Sequence, residues 1–171
     1  MSSDHVREAI ERLGLSMSAD PAKARAKNAP ATARLAAGLR CELSGPYGER
    51  LVTDMPPAVG GGRTGPNPGW LLRAALASCT ATVIAMRAAK LGVALSSLEV
   101  TAQSDSDLRG LLGVDESVSA AHGPVRIKVK IGAPGASSDA LREMVAWADA
   151  HSPVNCTIRQ PPACSLDVEV V

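Results

Sequence analysis

The sequence has no phenylalanine, one tyrosine and two tryptophans, so aromatic residues make up only 2% of it. Without aromatic platforms there is nothing for successive bases to stack on, which argues against single-stranded nucleic-acid binding. An excess of either charge is also missing: 18 Lys and Arg stand against 17 Asp and Glu, a net charge of +1. That balance removes the electrostatic footprint of a nucleic-acid binder or of a polybasic membrane-surface protein. Residues Met1 to Ala9 are largely polar and charged and lack the apolar run of an export signal, so a cytoplasmic location is expected. The cysteines, Cys41, Cys79, Cys156 and Cys164, form no Cys-x-x-Cys pair, and in a reducing compartment they are not expected to build a disulfide framework. No usual zinc-ligand spacing appears, and Gly60-Gly61-Gly62 is not followed by the Lys-Ser/Thr of a phosphate loop. There is no internal repeat.

What is abundant is small and aliphatic. Hydrophobic residues make up 46% of 171 residues, enough for one domain that buries roughly 70% of its unfolded surface. The core must be made of Ala, Val, Leu and Ile. The most apolar stretch, Trp70 to Leu95, is interrupted by Arg73, Arg87 and Lys90, which argues for a buried helix rather than a membrane span.

Local signals order the chain. Val6, Ile10 and Leu13 at helical spacing predict a short helix from Asp4 to Leu13, with Asp4 as cap and Gly14 as stop. Ser16 to Pro30 reads as a linker, so residues 1–33 are expected to form an N-terminal helix and linker and 34–171 the main domain. Ala33 to Leu43 drifts towards alternation, and the turn cluster Ser44-Gly45-Pro46-Tyr47-Gly48 leads into Arg50 to Thr53, predicting a hairpin. Asp54 to Pro68 holds too much Pro and Gly for a regular element and must be a loop. Asn67 as cap, Pro68 at the first helical position and Gly92 as stop predict the longest helix, ending near Leu91. Strands are expected over Ser97 to Ser104 and Val125 to Ile131, with a polar segment between them. A helix capped by Ser137 or Ser138 should end near His151, followed by a helical turn over Pro153 to Ile158 and a last alternating strand, Ser165 to Val171. The order predicts an α+β fold with antiparallel pairing.

Cys79 lies in the middle of the long helix, with Leu72, Ala75, Leu76, Val83 and Met86 near its face at about 100° per residue. It is either a buried small hydrophobe or a nucleophile. As a nucleophile it must react as the thiolate. The helix N-terminus lies roughly three turns away and cannot supply the charge. Arg73 and Arg87 project elsewhere, so an activating cation has to come from the preceding loop or hairpin: Arg63, Arg50 or Arg40. Cys41 and Cys164 fall in strand-like segments and read as packing residues. His151 at a helix end either binds the last carbonyls or assists proton transfer.

The run Asn67-Pro68-Gly69-Trp70-Leu71-Leu72-Arg73-Ala74-Ala75-Leu76-Ala77-Ser78-Cys79, followed far downstream by His151-Ser152-Pro153-Val154 and a terminal strand, resembles the OsmC/Ohr family from about residue 34 onward. The resemblance implies an intertwined homodimer in which antiparallel sheets wrap a long buried central helix, and an activity that reduces organic hydroperoxides. In the mechanism it implies, the helix cysteine attacks the peroxide and becomes a sulfenic acid, which a second cysteine at the start of a Cys-Pro segment resolves as a disulfide. No bound cofactor is implied; the reductant is an external thiol or a small dithiol of the lipoyl type. Carried over, Cys79 takes the attacking position. The resolving position falls on Ser152, with Cys156 four residues on as the available thiol. The resemblance also implies an Arg and a Glu that organise the site; the Glu that follows Asn-Pro in the family is Gly69 here, and the loop Arg has no unambiguous counterpart, Arg63 being the candidate. An OsmC-like module that holds a small apolar or lipid-like ligand with little turnover is the alternative reading, favoured by Gly69 and Ser152.

Overall fold

A computed structural model of the chain describes residues 3–171. The first helix, α1 (Ser3–Ala19), is longer than its caps suggest and runs through Gly14. A glycine inside a helix costs only about 1 kcal/mol, and Met17 continues the apolar spacing of Val6, Ile10 and Leu13. The segment read as a linker therefore begins in this helix and then makes a short 3₁₀ turn at Pro21–Ala24, whose first amides are capped by Asp20.

The expected hairpin is a three-stranded meander. Strands β1 (Thr32–Ala37), β2 (Arg40–Ser44) and β3 (Arg50–Thr53) pair antiparallel in the order β1-β2-β3. The stretch that loosely alternates from Ala33 to Leu43 is split by a turn at Gly38, whose φ of 57° is a left-handed conformation that glycine adopts without strain. Cys41 faces Leu35 on one side and Thr53 on the other.

Helix α2 (Pro68–Lys90) follows its signals closely. The Asn67 side chain accepts the Trp70 amide at 2.8 Å. At the other end Gly92 adopts φ 68°, and the amides of Gly92 and Val93 close back on Ala89 and Ala88, the paired bonds of a Schellman cap. By length and composition α2 could cross a bilayer, but Leu76, Thr80, Ile84 and Ala88, one residue every turn, form a buried stripe along it, with Ala89 buried beside its end.

Strands β4 (Ser97–Gln103) and β5 (Arg126–Gly132) form a second, two-stranded antiparallel sheet. The polar segment between them contains a short helix, α3 (Leu108–Leu111), capped by Asp107. Helix α4 (Ser138–His151) starts at the Ser137 cap, and α5 (Pro153–Arg159) starts at Ser152.

The predicted last strand is absent: Ser165–Val171 has no regular structure, and Leu166, Val168 and Val170 are almost fully exposed. The alternating pattern is there, but a strand exists only through a ladder partner, and no strand of the described chain pairs with it. Cys164, just before it, is exposed and is not a packing residue.

The chain divides into two compact units. One comprises residues up to Glu8, Leu76–Thr101 and Ile127–Val171. Its core is Ile84 and Ala88 of α2 against Met144 and Ala148 of α4, flanked by the inward-facing Leu98, Val100, Val129 and Ile131 of the sheet. The guanidinium of Arg87 lies 4.3 Å over the Trp147 ring, an attraction worth about 0.5–2 kcal/mol.

The other unit comprises Ala9–Ala75 and Ala102–Arg126. The residues buried in it are polar, Thr53 and Asp54. Asp54 organises the Pro- and Gly-rich loop. Its carboxylate accepts the amides of Met55 at 2.7 Å and of Gly62 and Thr64 at 3.0 Å, and the Thr64 hydroxyl at 2.9 Å. Gly61 and Gly65 sit where a Cβ would strike the carbonyls of Met55 and Val52, so the loop needs glycine there to fold back on itself.

The Thr64 amide foremost, with the Thr64 hydroxyl and the amides of Met55 and Gly62, outweighs burial and holds the Asp54 carboxyl below the usual carboxylate range. A carboxyl lowered in the folded state stabilises the protein above its unfolded value of about 3.9, and loses that contribution as pH falls through the folded value. Asp54→Asn should therefore melt below the wild type at neutral pH, with the gap narrowing in acid. Equal melting temperatures at pH 7 would show that the cradle contributes nothing.

Candidate functional site

Cys79 is half-buried on α2, and the group that touches its sulfur is Ser152. The Ser152 hydroxyl donates to Cys79 Sγ at 3.2 Å. Ser152 is fully buried, and its position follows from the local sequence: it caps α5, with Pro153 in the first turn and its own oxygen accepting the Asn155 amide at 3.5 Å. Because that oxygen is engaged as an acceptor, its single proton is directed at the sulfur, and no water reaches a residue of zero exposure to compete for it.

The next residue on α2 is tied to the same segment. Asn155, 2% exposed, donates from its amide nitrogen to Thr80 Oγ1 at 2.9 Å and to Asp149 Oδ1 at 2.8 Å. Thr80 in turn donates to the Leu76 carbonyl at 2.7 Å. Asp149 also holds Arg159 at 2.7 Å. Burial works to raise the Asp149 carboxyl, but the hydrogen bonds from Arg159 and Asn155 outweigh it and hold the group below the usual range. Two consecutive residues of α2, Cys79 and Thr80, are thus each bonded to the first turn of α5. A side-chain rotation at Ser152 would have to break this packing, so the donor is held in place.

The other residues singled out in the sequence are placed as follows. Cys156 is a free thiol whose Sγ donates to the Ala150 carbonyl at 3.3 Å. His151 is exposed; its Nδ1 donates to the Trp147 carbonyl at 2.7 Å, and its ring stacks on Trp147 with centroids 3.9 Å apart. This is the helix-end arrangement, a ring nitrogen satisfying one of the last carbonyls. Arg63, Arg40 and Arg50 belong to the other unit. Arg63 has φ 52°, a left-handed conformation that a non-glycine residue adopts only when the surrounding loop imposes it. Arg40 pairs with Glu42 at 2.9 Å, and Arg50 donates to the Glu49 carbonyl.

In that unit the His122 side chain lies beside position 69. A Cβ there would lie 2.8 Å from the His122 ring, whose Nδ1 is hydrogen-bonded to the Ser106 hydroxyl at 2.8 Å. An imidazole occupies the space beside the first turn of α2 that a side chain at position 69 would need.

Sequence reasoning treats Ser152 as a missing thiol and does not see it as a donor. The signal was present in Ser152-Pro153-Val154-Asn155, which has Ser at the cap and Pro at the first position of a helix, the pattern that fixes the hydroxyl at a helix start.

Similarity to known proteins agrees with this architecture. Comparison with curated proteins finds no match. Among solved structures, an OsmC-like protein from Mycoplasma pneumoniae superposes with a TM-score of 0.67 at 14% identity, covering 80% of this chain and 91% of that one. An organic hydroperoxide resistance protein OsmC from Legionella pneumophila gives 0.59 at 19% identity, with 80% and 92% covered. The organic hydroperoxide resistance protein OhrB of Bacillus subtilis gives 0.53 at 19% identity, with 79% and 93% covered. At these identities the likeness is one of fold: an α+β architecture of antiparallel sheets and a long central helix. The family model for OsmC-like protein matches residues 60–167, a span that contains α2 with Cys79, the whole of α4 and α5, and the serine that meets the cysteine between them. On that match, over more than half its length, the chain belongs to the OsmC-like protein family.

Proposed function

We propose that the protein is a thiol peroxidase that reduces organic hydroperoxides, with Cys79 as the attacking group. The observation that carries this reading is the 3.2 Å hydrogen bond from the buried Ser152 hydroxyl to Cys79 Sγ. A donor aimed at sulfur interacts more strongly with the charged thiolate than with the neutral thiol, and the thiolate is the form that attacks. Family membership and the hydroperoxide resistance proteins of the same fold support the same chemistry.

In the reaction, the Cys79 thiolate attacks the terminal oxygen of the hydroperoxide and the O–O bond breaks. The released alkoxide leaves as the alcohol with the proton the hydroperoxide carried, and the sulfur becomes the sulfenate anion, which takes a proton from solvent to give the sulfenic acid. No bound cofactor takes part, and a thiol from solution returns the electrons. The protein acts as a homodimer in the cytoplasm.

Ser152→Ala tests the geometry directly. A hydrogen bond to a charged group contributes about 1.5–3 kcal/mol, and each 1.4 kcal/mol is tenfold in rate. The second-order rate of Cys79 oxidation by cumene hydroperoxide at neutral pH should fall about tenfold to a hundredfold. An unchanged rate would remove Ser152 from the mechanism. A wild-type protein that binds cumene hydroperoxide without consuming it would favour the ligand-binding module.

A further inference from the structure

We infer that Cys79, once oxidised, is resolved from outside the chain: a small monothiol is the second substrate and forms a mixed disulfide with Cys79. This rests on the peroxidase reading above.

The residue that touches Cys79 Sγ, at 3.2 Å, is the fully buried Ser152 that caps α5, and a hydroxyl cannot form a disulfide. The thiol next in line along that segment, Cys156, is one helical turn on and bonded to the Ala150 carbonyl. Cys41 belongs to β2, and Cys164 is exposed beside the irregular end of the chain. All four cysteines are free. Cys79 itself is half-buried rather than fully enclosed.

The sequence of steps balances with one named co-reactant, a monothiol. The first monothiol attacks the sulfenic sulfur of Cys79, an S–S bond forms, and the sulfenic oxygen leaves as water with the thiol's proton. A second monothiol attacks the sulfur of the first, that S–S bond breaks, and the oxidised product leaves as a symmetrical disulfide. In this last step Cys79 departs as a thiolate, and the rate of thiol–disulfide exchange depends on how well the leaving sulfur carries its charge. The Ser152 hydroxyl is already hydrogen-bonded to that sulfur. One side chain therefore assists both the attack on peroxide and the release of the mixed disulfide, a double duty that a cysteine in its place could not perform. The same arrangement has a cost, since a sulfenic acid without an internal partner stays open to further oxidation whenever monothiol is scarce.

The test is to treat the reduced full chain with one equivalent of cumene hydroperoxide and count its thiols, add one equivalent of glutathione and follow intact mass and peptide maps, and use excess glutathione only to measure turnover. Wild type should lose one thiol per hydroperoxide and carry glutathione on Cys79, and glutathione alone should sustain turnover. The variant Ser152→Cys places a thiol where the hydroxyl now meets Cys79. It should lose two thiols per hydroperoxide, form an internal disulfide between Cys79 and the introduced thiol, and carry little glutathione. A disulfide between Cys79 and Cys156 in wild type, or turnover with dihydrolipoamide but none with glutathione, would overturn the inference and leave the peroxidase reading standing. A Cys79 thiol that survives the hydroperoxide untouched would overturn both.

Discussion

Cys79→Ser is expected to abolish hydroperoxide consumption, while Cys41→Ser and Cys164→Ser leave it nearly intact. The difference follows from surroundings rather than from residue type. Cys79 is the cysteine that receives a buried, fixed hydrogen-bond donor, Ser152. Cys41 sits in β2 between Leu35 and Thr53, and Cys164 is exposed with only a weak 3.9 Å contact to the Ser165 carbonyl. A serine at position 79 keeps the size of the side chain and can still hydrogen-bond Ser152, so far-UV circular dichroism should not change. What disappears is the soft, ionisable nucleophile, because a serine hydroxyl stays protonated unless an adjacent base activates it, and the group that meets position 79 is the Ser152 hydroxyl, a donor. The measurement is the loss of cumene hydroperoxide with time in the presence of a thiol. Full activity of Cys79→Ser would end the mechanism.

The second large effect concerns assembly. The protein should be an obligate homodimer whose apparent stability falls on dilution, by about 1.4 kcal/mol for each tenfold step. The sequence argument is that α2 carries apolar residues nearly all the way round. The structure makes this more specific. Within the described residues the helix buries one stripe, Leu76 to Ala88, and leaves Trp70 and Met86 at 50% and 42% exposure. The unit that contains the meander buries Thr53 and Asp54 and no apolar side chain, so by itself it has no hydrophobic core. Leu35 on the edge strand β1 and the alternating Leu166, Val168 and Val170 are also uncovered. A second copy would supply both missing elements, apolar cover and a ladder partner for an unpaired segment. An interface of this obligate kind buries on the order of 2,000 Å² or more. Sedimentation of untagged protein at low micromolar concentration should show the dimer mass, and a folded, stable species at the monomer mass would contradict the proposal.

Helix ends and alternation were legible in the sequence because they are local. Asn67 and Pro68 start α2, and Gly92 stops it, through contacts within a few residues of each position. The strict alternation over Arg126–Gly132 places Ile127, Val129 and Ile131 on one side of a strand with no knowledge of the partner. Where a local signal competes with a longer pattern it can lose, as at Gly14, where one unfavourable glycine did not outweigh a helix favoured on both sides.

The sequence by itself determined the α+β class, the long helix with Cys79 at its middle and the helical turn after Ser152, since each rests on propensity, capping and spacing along the chain. Only the tertiary structure decided that Cys79 and Ser152, 73 residues apart, share a hydrogen bond. It also decided that Asp54 holds a loop through amides up to ten residues away, and that His122 fills the space beside Gly69. It left Ser165–Val171 unpaired despite a strand's pattern. The reason is the same in each case: a hydrogen bond or a ladder needs a partner at about 3 Å, and the position of a distant partner is set by the packing of whole elements, which no local pattern encodes.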